Sequence, residues 1–426
     1  MIPSFSGLRR LRESRFARDA FSMTAGTAVA QAITLMCAPV LSRIYRPEEY
    51  GLFGIYSAFV VILGTVTAGC FELAIQLPKS GRLARDVTYL AFVISIWTAL
   101  FAWVFAFLAA PSVAALLGTP EVEKILWLVP LGALGSATFA VLRLYTMRRS
   151  AFSLIGINAV FRTTAANALN ISSGLLIHPS GILLAAGGLL ADFVGNGFLL
   201  FKALPSLGKP GLRRRWLRLC AAFARYWPLA RTLIYSHLLC IVYMRVPIFG
   251  IGWLYGTELL GNYFQAERFT SLPTLLIAGA VGEVYRQRAT VQWQQRGGFR
   301  GLMVKTTLWL AAVAIVPYLL AIILAPSLFP WLLGEKWGQA GHLAGILLIA
   351  GLAQFVITPV DKGGLIVQAK AYMAVWHTAR FFCECGVLLL TAWQHWGIEQ
   401  YLWAIVATRI LFYAVEWVAC YHFARH

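Results

Sequence analysis

Apolar segments of membrane-spanning length follow one another through almost the whole chain, with only short polar stretches between them. A helix needs about 20 apolar residues to cross a bilayer. Twelve segments have that length, and they lie at 20–43, 50–77, 86–109, 124–147, 151–177, 181–204, 226–252, 258–285, 303–326, 340–360, 371–394 and 399–423. The sequence therefore predicts an all-α integral membrane protein with about twelve transmembrane helices.

The composition fits a chain whose solvent is the bilayer. Hydrophobic residues make up 59% of the chain and charged residues 12%, against about 25% charged residues in ordinary soluble domains. The net charge of +19 is explained by basic loops that face an anionic cytoplasmic leaflet. A nucleic-acid-binding role would need a soluble basic domain, and no stretch is long enough to fold as one.

A basic segment divides the apolar segments into two sets of six. Residues 202–225 hold seven of the 36 Lys and Arg in the chain. Lys and Arg resist translocation, so this segment is expected to be a cytoplasmic connector loop. The predicted domains are an N-terminal six-helix bundle (1–201), the connector (202–225) and a C-terminal six-helix bundle (226–426).

Most Lys and Arg outside the spans fall on one side of the predicted membrane. The other side holds only Arg43, Arg46, Lys124 and Lys336. This asymmetry predicts that both termini are cytoplasmic. The basic segment 5–21 has no cleavage signal nearby and is expected to be an uncleaved start. The outer loops are too short for a catalytic domain.

A short motif recurs at equivalent points of the two halves. Tyr45-x-x-Glu48-x-x-Gly51 is repeated as Tyr255-x-x-Glu258-x-x-Gly261, 210 residues later. Both copies lie at the turn from the first to the second helix of a half. Because each half has six helices, the repeats are expected to be parallel, a pattern typical of transporters.

Three segments carry a family resemblance. They are PVLSRIYRPEEYGLFGIYSAFVVILGTV (39–66), LLGNYFQAERFTSLPTLLIAGAVGEVY (259–285) and LLGEKWGQAGHLAGILLIAGLAQFVITP (332–359). In the first, a helix of small residues ends near an Arg, and a P-E-E-Y-G turn opens the second span. These segments resemble polysaccharide flippases, for O-antigen and exopolysaccharide, of the MATE-like MOP superfamily.

The resemblance implies a fold and a function. The fold would be two six-helix bundles around a central cavity. The function would be alternating-access movement of an undecaprenyl-pyrophosphate-linked oligosaccharide across the bacterial inner membrane, for O-antigen (lipopolysaccharide), exopolysaccharide or capsule biosynthesis. The expected partners are the lipid-linked oligosaccharide, membrane lipids, and a polysaccharide polymerase with its export machinery. The family has no short catalytic motif, so the site must be inferred from charges.

Charged side chains inside the spans are the candidate site residues. An ionised group at mid-bilayer costs roughly 2.5–3.5 kcal/mol on insertion scales, so each one needs a reason. Two of the arginines inside spans, Arg143 and Arg231, lie near inner ends and can snorkel. The deep charges are Arg162, Arg245, Arg268, Arg380, Arg409, Asp192, Glu267, Glu384 and Glu416.

Two interpretations of these charges stay open. Arg380 and Glu384 are spaced i,i+4 and Glu267 adjoins Arg268, so the charges can neutralise one another. Alternatively the arginines bind a pyrophosphate or acidic sugars, which suits the planar guanidinium. The four acids are candidates for ion coupling as well as for charge pairing.

The fifth span carries further candidates for substrate binding. Asn158 and Asn167 share a face with Arg162 at 100° per residue, which suits a hydrophilic sugar passage. Hydrogen bonding between helices explains these asparagines equally well.

Several functions fit a chain of this kind. The first is the flippase, driven by an H⁺ or Na⁺ gradient or by consumption of its product. No GxxxxGK[ST] motif is present, so ATP hydrolysis is not expected. A multidrug exporter of the same superfamily would need an acidic cavity, and a membrane polysaccharide polymerase would need a large outer loop. A structural partner in a polysaccharide complex is a further alternative. We expect no catalytic residues, no metal and no cofactor.

Overall fold

The computed structural model describes residues 15–207, 212–367 and 369–424. Arg9, Arg10 and Arg12 of the predicted basic start, together with Lys209 and Arg425, lie outside the described residues. The described residues form helices and connecting turns and contain no strand.

Six long helices make up the first part of the chain. They are α1 (Arg15–Ile44), α2 (Pro47–Thr67), α3 (Gly81–Leu117), α4 (Val129–Arg148), α5 (Phe152–Leu176) and α6 (Gly181–Leu207). Two short helices, Phe71–Ala74 and Glu121–Leu126, precede α3 and α4.

Six more long helices follow. The helical stretch Leu212–Pro273 is interrupted at Gly256, which has φ 82° and ψ 177°, so that α7 is 212–255. Helix α8 is 257–296; it passes through a π-helical turn at Thr274–Ala278 and ends with Gly279–Arg296. The remaining long helices are α9 (Arg300–Leu333), α10 (Gly338–Ile357), α11 (Lys370–Gln394) and α12 (Ile398–Phe423). The predicted all-α fold with about twelve long helices is confirmed.

The predicted second span, 50–77, is ten residues too long. Helix α2 ends at Thr67, because Gly69 and Cys70 adopt left-handed conformations with φ of 60° and 56°. A left-handed residue just past the last turn ends a helix. The apolar residues that follow do not continue the span; Phe71 and Ile75 are buried in the core of the first unit.

The prediction that residues 202–225 form a loop is wrong for the described residues, which are helical. Helix α6 continues to Leu207 and α7 already begins at Leu212. Arg, Leu and Ala are strong helix formers, and here the apolar positions recur every three or four residues. Leu219, Ala222 and Tyr226 are buried in the core of the first unit, and Phe223 stacks on Phe71 with ring centroids 5.4 Å apart. The predicted domain limits stay predictions.

The chain forms two compact units. Unit 1 comprises the described residues up to Tyr45 and Ile55–Ile241, and unit 2 comprises Arg46–Gly54 and the described residues from Val242 onwards. In unit 1, α3 packs on α4, α4 on α6, and α5 on both α6 and α1. In unit 2, α9 packs on α10, α10 on α12, and α11 on α12. Three pairings of unit 1 therefore recur six helices later, as expected of an internal repeat.

The two copies of the repeated motif also meet each other, within unit 2. A Cβ on Gly51 would collide with the backbone carbonyl of Thr257, and a Cβ on Gly261 would collide with the carbonyl of Pro47. Thr257 and Pro47 occupy the same position in the two copies, two residues after each motif tyrosine. The contact is therefore reciprocal, and only glycine permits so close an approach of two helices.

Nine segments of the described residues are long and apolar enough to cross a membrane. One of them, Trp216–Arg296, runs over most of α7 and all of α8 and counts as a single segment. Helices α5 and α11 are not among these segments. Both have the length of a span, so their polar side chains set them apart. They occupy the fifth position in their respective sets of six.

Candidate functional site

Six of the nine deep charges lie on two helical hairpins, α5–α6 in unit 1 and α11–α12 in unit 2. In unit 1, Nη1 of Arg162 on α5 lies 3.3 Å from Oδ1 of Asp192 on α6. The guanidinium also lies 4.5 Å above the ring of Phe139 on α4. Both members of this pair keep about a third of their side-chain surface exposed, at 32% and 28%. The pair is therefore reachable from outside unit 1.

Arg380 on α11 lies in an aromatic enclosure. Its Nη2 is 3.2 Å from Oε2 of Glu416 on α12, and its Nη1 donates to the hydroxyl of Tyr243 on α7 at 3.2 Å. Four rings lie within 6 Å of the guanidinium carbon: Tyr243, Trp376, Phe412 and Tyr413. Cation–π attraction grows when the cation is desolvated, and this side chain is only 12% exposed. Arg380 is thus held from several sides.

A second pair joins the same two helices. Nε of Arg409 on α12 donates to Oε1 of Glu384 on α11 at 3.3 Å. The Glu384 side chain is 5% exposed, and its Oε2 has no hydrogen-bond partner among the described residues. Glu267 on α8 is near enough for its charge to act on both Arg409 and Glu384. Arg409 and Glu384 thus form a largely buried pair with one free oxygen on Glu384, and the half-buried Glu267 lies nearby.

The pairing differs from the i,i+4 pair considered from the sequence. Arg380 pairs with Glu416, and Glu384 pairs with Arg409, so both pairs cross between helices. An antiparallel hairpin brings the earlier residue of α11 opposite the later residue of α12, and the later opposite the earlier. The order Arg then Glu on both helices therefore matches charge with countercharge.

Two of the five deep arginines have no partner in the described residues. Arg245 on α7 has a buried Nε without a hydrogen bond, and no ion pair forms there. The half-buried Arg268 on α8 likewise has no described side-chain partner. At 1.5 Å per residue they lie about 16 Å before and about 18 Å after Gly256, and hence at similar depth. Glu267, which adjoins Arg268 in sequence, forms no ion pair with any described residue.

The predicted asparagines behave differently from each other. Nδ2 of Asn167 donates to the carbonyl of Thr163 at 2.8 Å, within its own helix. Asn158 is fully buried, and neither of its side-chain amide atoms has a described partner. Its Oδ1 faces Gly195 on α6, whose absent side chain leaves room for it. Asn158 therefore lies inside the α5–α6 hairpin, where an unsatisfied buried amide is costly.

Sequence reasoning missed the aromatic enclosure and one buried amide. Trp376 precedes Arg380 by four residues, a spacing that places both on one helix face and was available as a signal. Tyr243 comes from another helix, and no local pattern indicates it. Gln265 is fully buried on α8, and its side-chain amide has no described partner.

The site combines fixed and free cations. Arg380 and Arg409 are held by carboxylates within unit 2, whereas Arg245 and Arg268 offer donors that no described residue accepts. A guanidinium presents five donors in a planar fork that matches phosphate and carboxylate geometry. The arrangement can bind a phosphate-bearing or acidic ligand.

Comparisons with known proteins show the family to which the chain belongs. Residues 40–341 match a family described as polysaccharide biosynthesis protein. The chain is 23% identical over 402 residues to the succinoglycan biosynthesis transport protein ExoT of Rhizobium meliloti (strain 1021), covering 91% of this chain and 76% of that protein.

Solved structures show the same fold at low identity. An inward-facing multidrug resistance MATE family transporter of the MOP superfamily superposes with a TM-score of 0.67 at 12% identity, covering 93% of each chain. The lipid II flippase MurJ, in an inward closed conformation, gives 0.68 at 11% identity, covering 93% of this chain and 87% of that one. The protein is thus a multi-pass membrane protein with the fold of the MATE-like MOP superfamily, and, because the family match spans most of its length, it belongs to the polysaccharide biosynthesis protein family.

Proposed function

We propose that this protein is a flippase that moves a polyprenyl-pyrophosphate-linked oligosaccharide across the bacterial inner membrane by alternating access. Membership of a polysaccharide biosynthesis family supports a glycan cargo. The similarity to a succinoglycan transport protein, and the fold shared with a lipid II flippase, support transport of a lipid-linked saccharide. A polysaccharide polymerase and export machinery would use the product on the other side.

The guanidiniums of Arg245 and Arg268, which have no partner among the described residues, carry this proposal. Both side chains are half-buried, and a cation without a counterion inside a membrane is costly and marks a binding site by default. A pyrophosphate has the charge and the acceptor oxygens to satisfy two such groups. Acidic sugars of the oligosaccharide would serve in the same way. We assign Arg245 and Arg268 as the primary substrate-binding residues.

The paired arginines take a second role in the proposal. Arg162, Arg380 and Arg409 each hold a carboxylate that an anionic cargo can displace. A displaced carboxylate is then free to take up H⁺ or Na⁺, which couples cargo binding to an ion gradient. Glu384 suits this role because its Oε2 already has no described partner.

The charge inventory favours this cargo over a lipophilic cation. A cation exporter needs carboxylates that are free to meet the drug. Three of the four deep acids, Asp192, Glu384 and Glu416, are paired with arginine in the described residues. Only Glu267 is left for a cation, and it lies beside Arg268 in the sequence.

Transport in proteoliposomes tests the two arginines. We expect the double variant Arg245→Gln/Arg268→Gln to lower the initial rate of movement of a fluorescent polyprenyl-pyrophosphate oligosaccharide. A hydrogen bond to a charged group contributes about 1.5–3 kcal/mol, so each loss should weaken cargo binding about 10- to 100-fold. The rate is measured at cargo concentrations below saturation.

Arg231→Gln is the matched control, since Arg231 is an exposed arginine on the same helix as Arg245. This variant should transport at the wild-type rate. If the double variant transports at the wild-type rate, with equal protein in the vesicles, Arg245 and Arg268 do not bind the cargo.

A further inference from the structure

A cavity lined by arginines lies at one end of unit 1, and none of the deep charges lines it. It forms between the N-terminal end of α3 and the C-terminal end of α4 and has a volume of about 640 Å³. Its lining residues are Ser80, Gly81, Arg82, Ala84, Arg85, Tyr145, Arg148 and Arg149. Four of these eight described residues are arginines and none is a carboxylate. The cavity therefore concentrates positive charge.

Arg148 holds together the two helix ends that form this cavity. Its Nη1 donates to the carbonyls of Ile75 and Gln76 at 3.2 and 3.1 Å, and its Nη2 donates to the carbonyl of Pro78. These bonds tie the end of α4 to the turn that leads into α3. These bonds form the structural framework of the cavity. The side chains of Arg82 and Arg149 are exposed and take no part in these bonds.

The start of α3 adds to the positive potential. Ser80 caps the helix by accepting the N–H of Arg82 at 3.2 Å. The other first-turn N–H groups of a helix have no acceptor within it. A helix end of this kind carries about half a positive charge and favours anions, phosphate in particular. Together with the arginines, it fits a phosphate group.

The surface beyond the cavity is apolar. Helix α3 is 37 residues long, and from Ile96 onwards, past the half-buried and buried turns next to the cavity, it exposes large apolar side chains, among them Trp97, Phe101, Phe105 and Leu108 at 69%, 75%, 64% and 69%. In a membrane-spanning helix such a surface faces acyl chains. A ligand with an anionic head and two apolar tails matches both features, whereas a free phosphate matches only the first.

We propose that this cavity binds the phosphate of an anionic membrane lipid, whose acyl chains lie along α3. Basic cavities between membrane helices bind such head groups. The lipid belongs to the leaflet that this end of unit 1 meets, which the distribution of Lys and Arg predicts to be the cytoplasmic one. The site does not depend on which cargo the protein moves.

Thermal unfolding of the purified protein in detergent tests the site. We expect dioctanoyl phosphatidylglycerol to raise the unfolding temperature saturably, because a ligand that binds only the folded state stabilises it. Dioctanoyl phosphatidylcholine should have little effect. In Arg82→Gln/Arg149→Gln the apparent affinity should fall about 30-fold, from two lost surface charges.

Arg288→Gln/Arg296→Gln is the matched control, because both arginines are exposed on α8 and are predicted to face the same leaflet. It should keep the wild-type response. An equal loss in this control would mean a diffuse basic surface and would overturn the site. An equal rise with inorganic phosphate alone would mean a free-anion site, and no rise with phosphatidylglycerol would mean no site.

Discussion

At Arg380, four aromatic rings and one carboxylate surround a single guanidinium. The side chains of Arg380 and Glu416 are each only 12% exposed. Removing one member of a buried ion pair leaves an uncompensated charge, which typically costs 3–5 kcal/mol. Replacing both with apolar residues of similar size is often neutral. Arg380 therefore differs from Arg268: its loss should affect folding as well as transport.

Arg380→Met should lower the unfolding temperature in detergent markedly, since Glu416 would lose its partner. The double variant Arg380→Met/Glu416→Leu should recover most of the loss. Thermal unfolding of the wild type and both variants provides the measurement. A double variant as unstable as the single one would show that the pair is not what Arg380 contributes to stability.

Glu72 is a buried carboxyl outside the spanning helices, in the turn region between α2 and α3. It is 8% exposed, and its Oε2 has no described hydrogen-bond partner. Burial raises its pKa from 4.5 to about 7. The folded state then binds more protons than the unfolded state between these two values, so stability falls as the pH rises through that window.

Glu72→Gln removes this dependence. We expect the variant to unfold at a higher temperature than the wild type at pH 8, where the wild type must keep a buried charge. The gain should be at most about 3 kcal/mol, the equivalent of the pKa shift, and it should vanish near pH 4.5. Unfolding temperatures that differ equally at both pH values would contradict the raised pKa.

Among the elements, the crossing of α2 and α8 depends on two glycines. Gly51 and Gly261 each approach a backbone carbonyl of the other helix too closely for a Cβ. Gly51→Ala and Gly261→Ala should therefore lower the unfolding temperature, because the helices must move apart. Gly188→Ala on α6 is the control, since nothing lies within 4 Å of its Cβ.

The control should be neutral or slightly stabilising, because alanine is preferred over glycine within a helix by roughly 0.5–1 kcal/mol. Thermal unfolding of the three variants in detergent measures the difference. If Gly51→Ala and Gly261→Ala behave like Gly188→Ala, the close crossing of α2 and α8 is not present in the folded protein.

The helices were predictable from the sequence because apolar length alone decides which segments can span a bilayer. The end of α2 was not, since the sequence stays largely apolar beyond Thr67. The stop depends on two left-handed residues, and Cys70 gives no local sign of that conformation. The helix at 212–225 was not predicted because its many charges indicated a loop. Its apolar residues nevertheless recur at helical spacing.

The charges themselves could be predicted, but their partners could not. Each deep residue stands out in an apolar segment, whereas pairing depends on which helices touch. The packing of α11 on α12 turns the local pair Arg380–Glu384 into two crossed pairs, with Glu416 and with Arg409. The same dependence on tertiary packing leaves Arg245 without a partner among the residues that the structure describes.

Across the whole molecule, the ion-paired helices hold equivalent positions in the two copies of the repeat. Three helix pairings recur six positions later, and the polar helices α5 and α11 hold the same place in their sets. Each of them is linked by ion pairs to the helix that follows. Among the described residues, unit 1 has one such pair and unit 2 has two, together with two arginines that have no described partner. The deep arginines are therefore concentrated in unit 2.

The central claim is that an anionic, lipid-linked glycan is the cargo. Its most direct test is the movement of a fluorescent polyprenyl-pyrophosphate oligosaccharide across proteoliposomes that contain the wild-type protein, beside a lipophilic drug cation in the same vesicles. The account predicts movement of the lipid-linked sugar and none of the cation. Movement of the cation alone would contradict it, and would mean that the deep arginines only neutralise neighbouring acids.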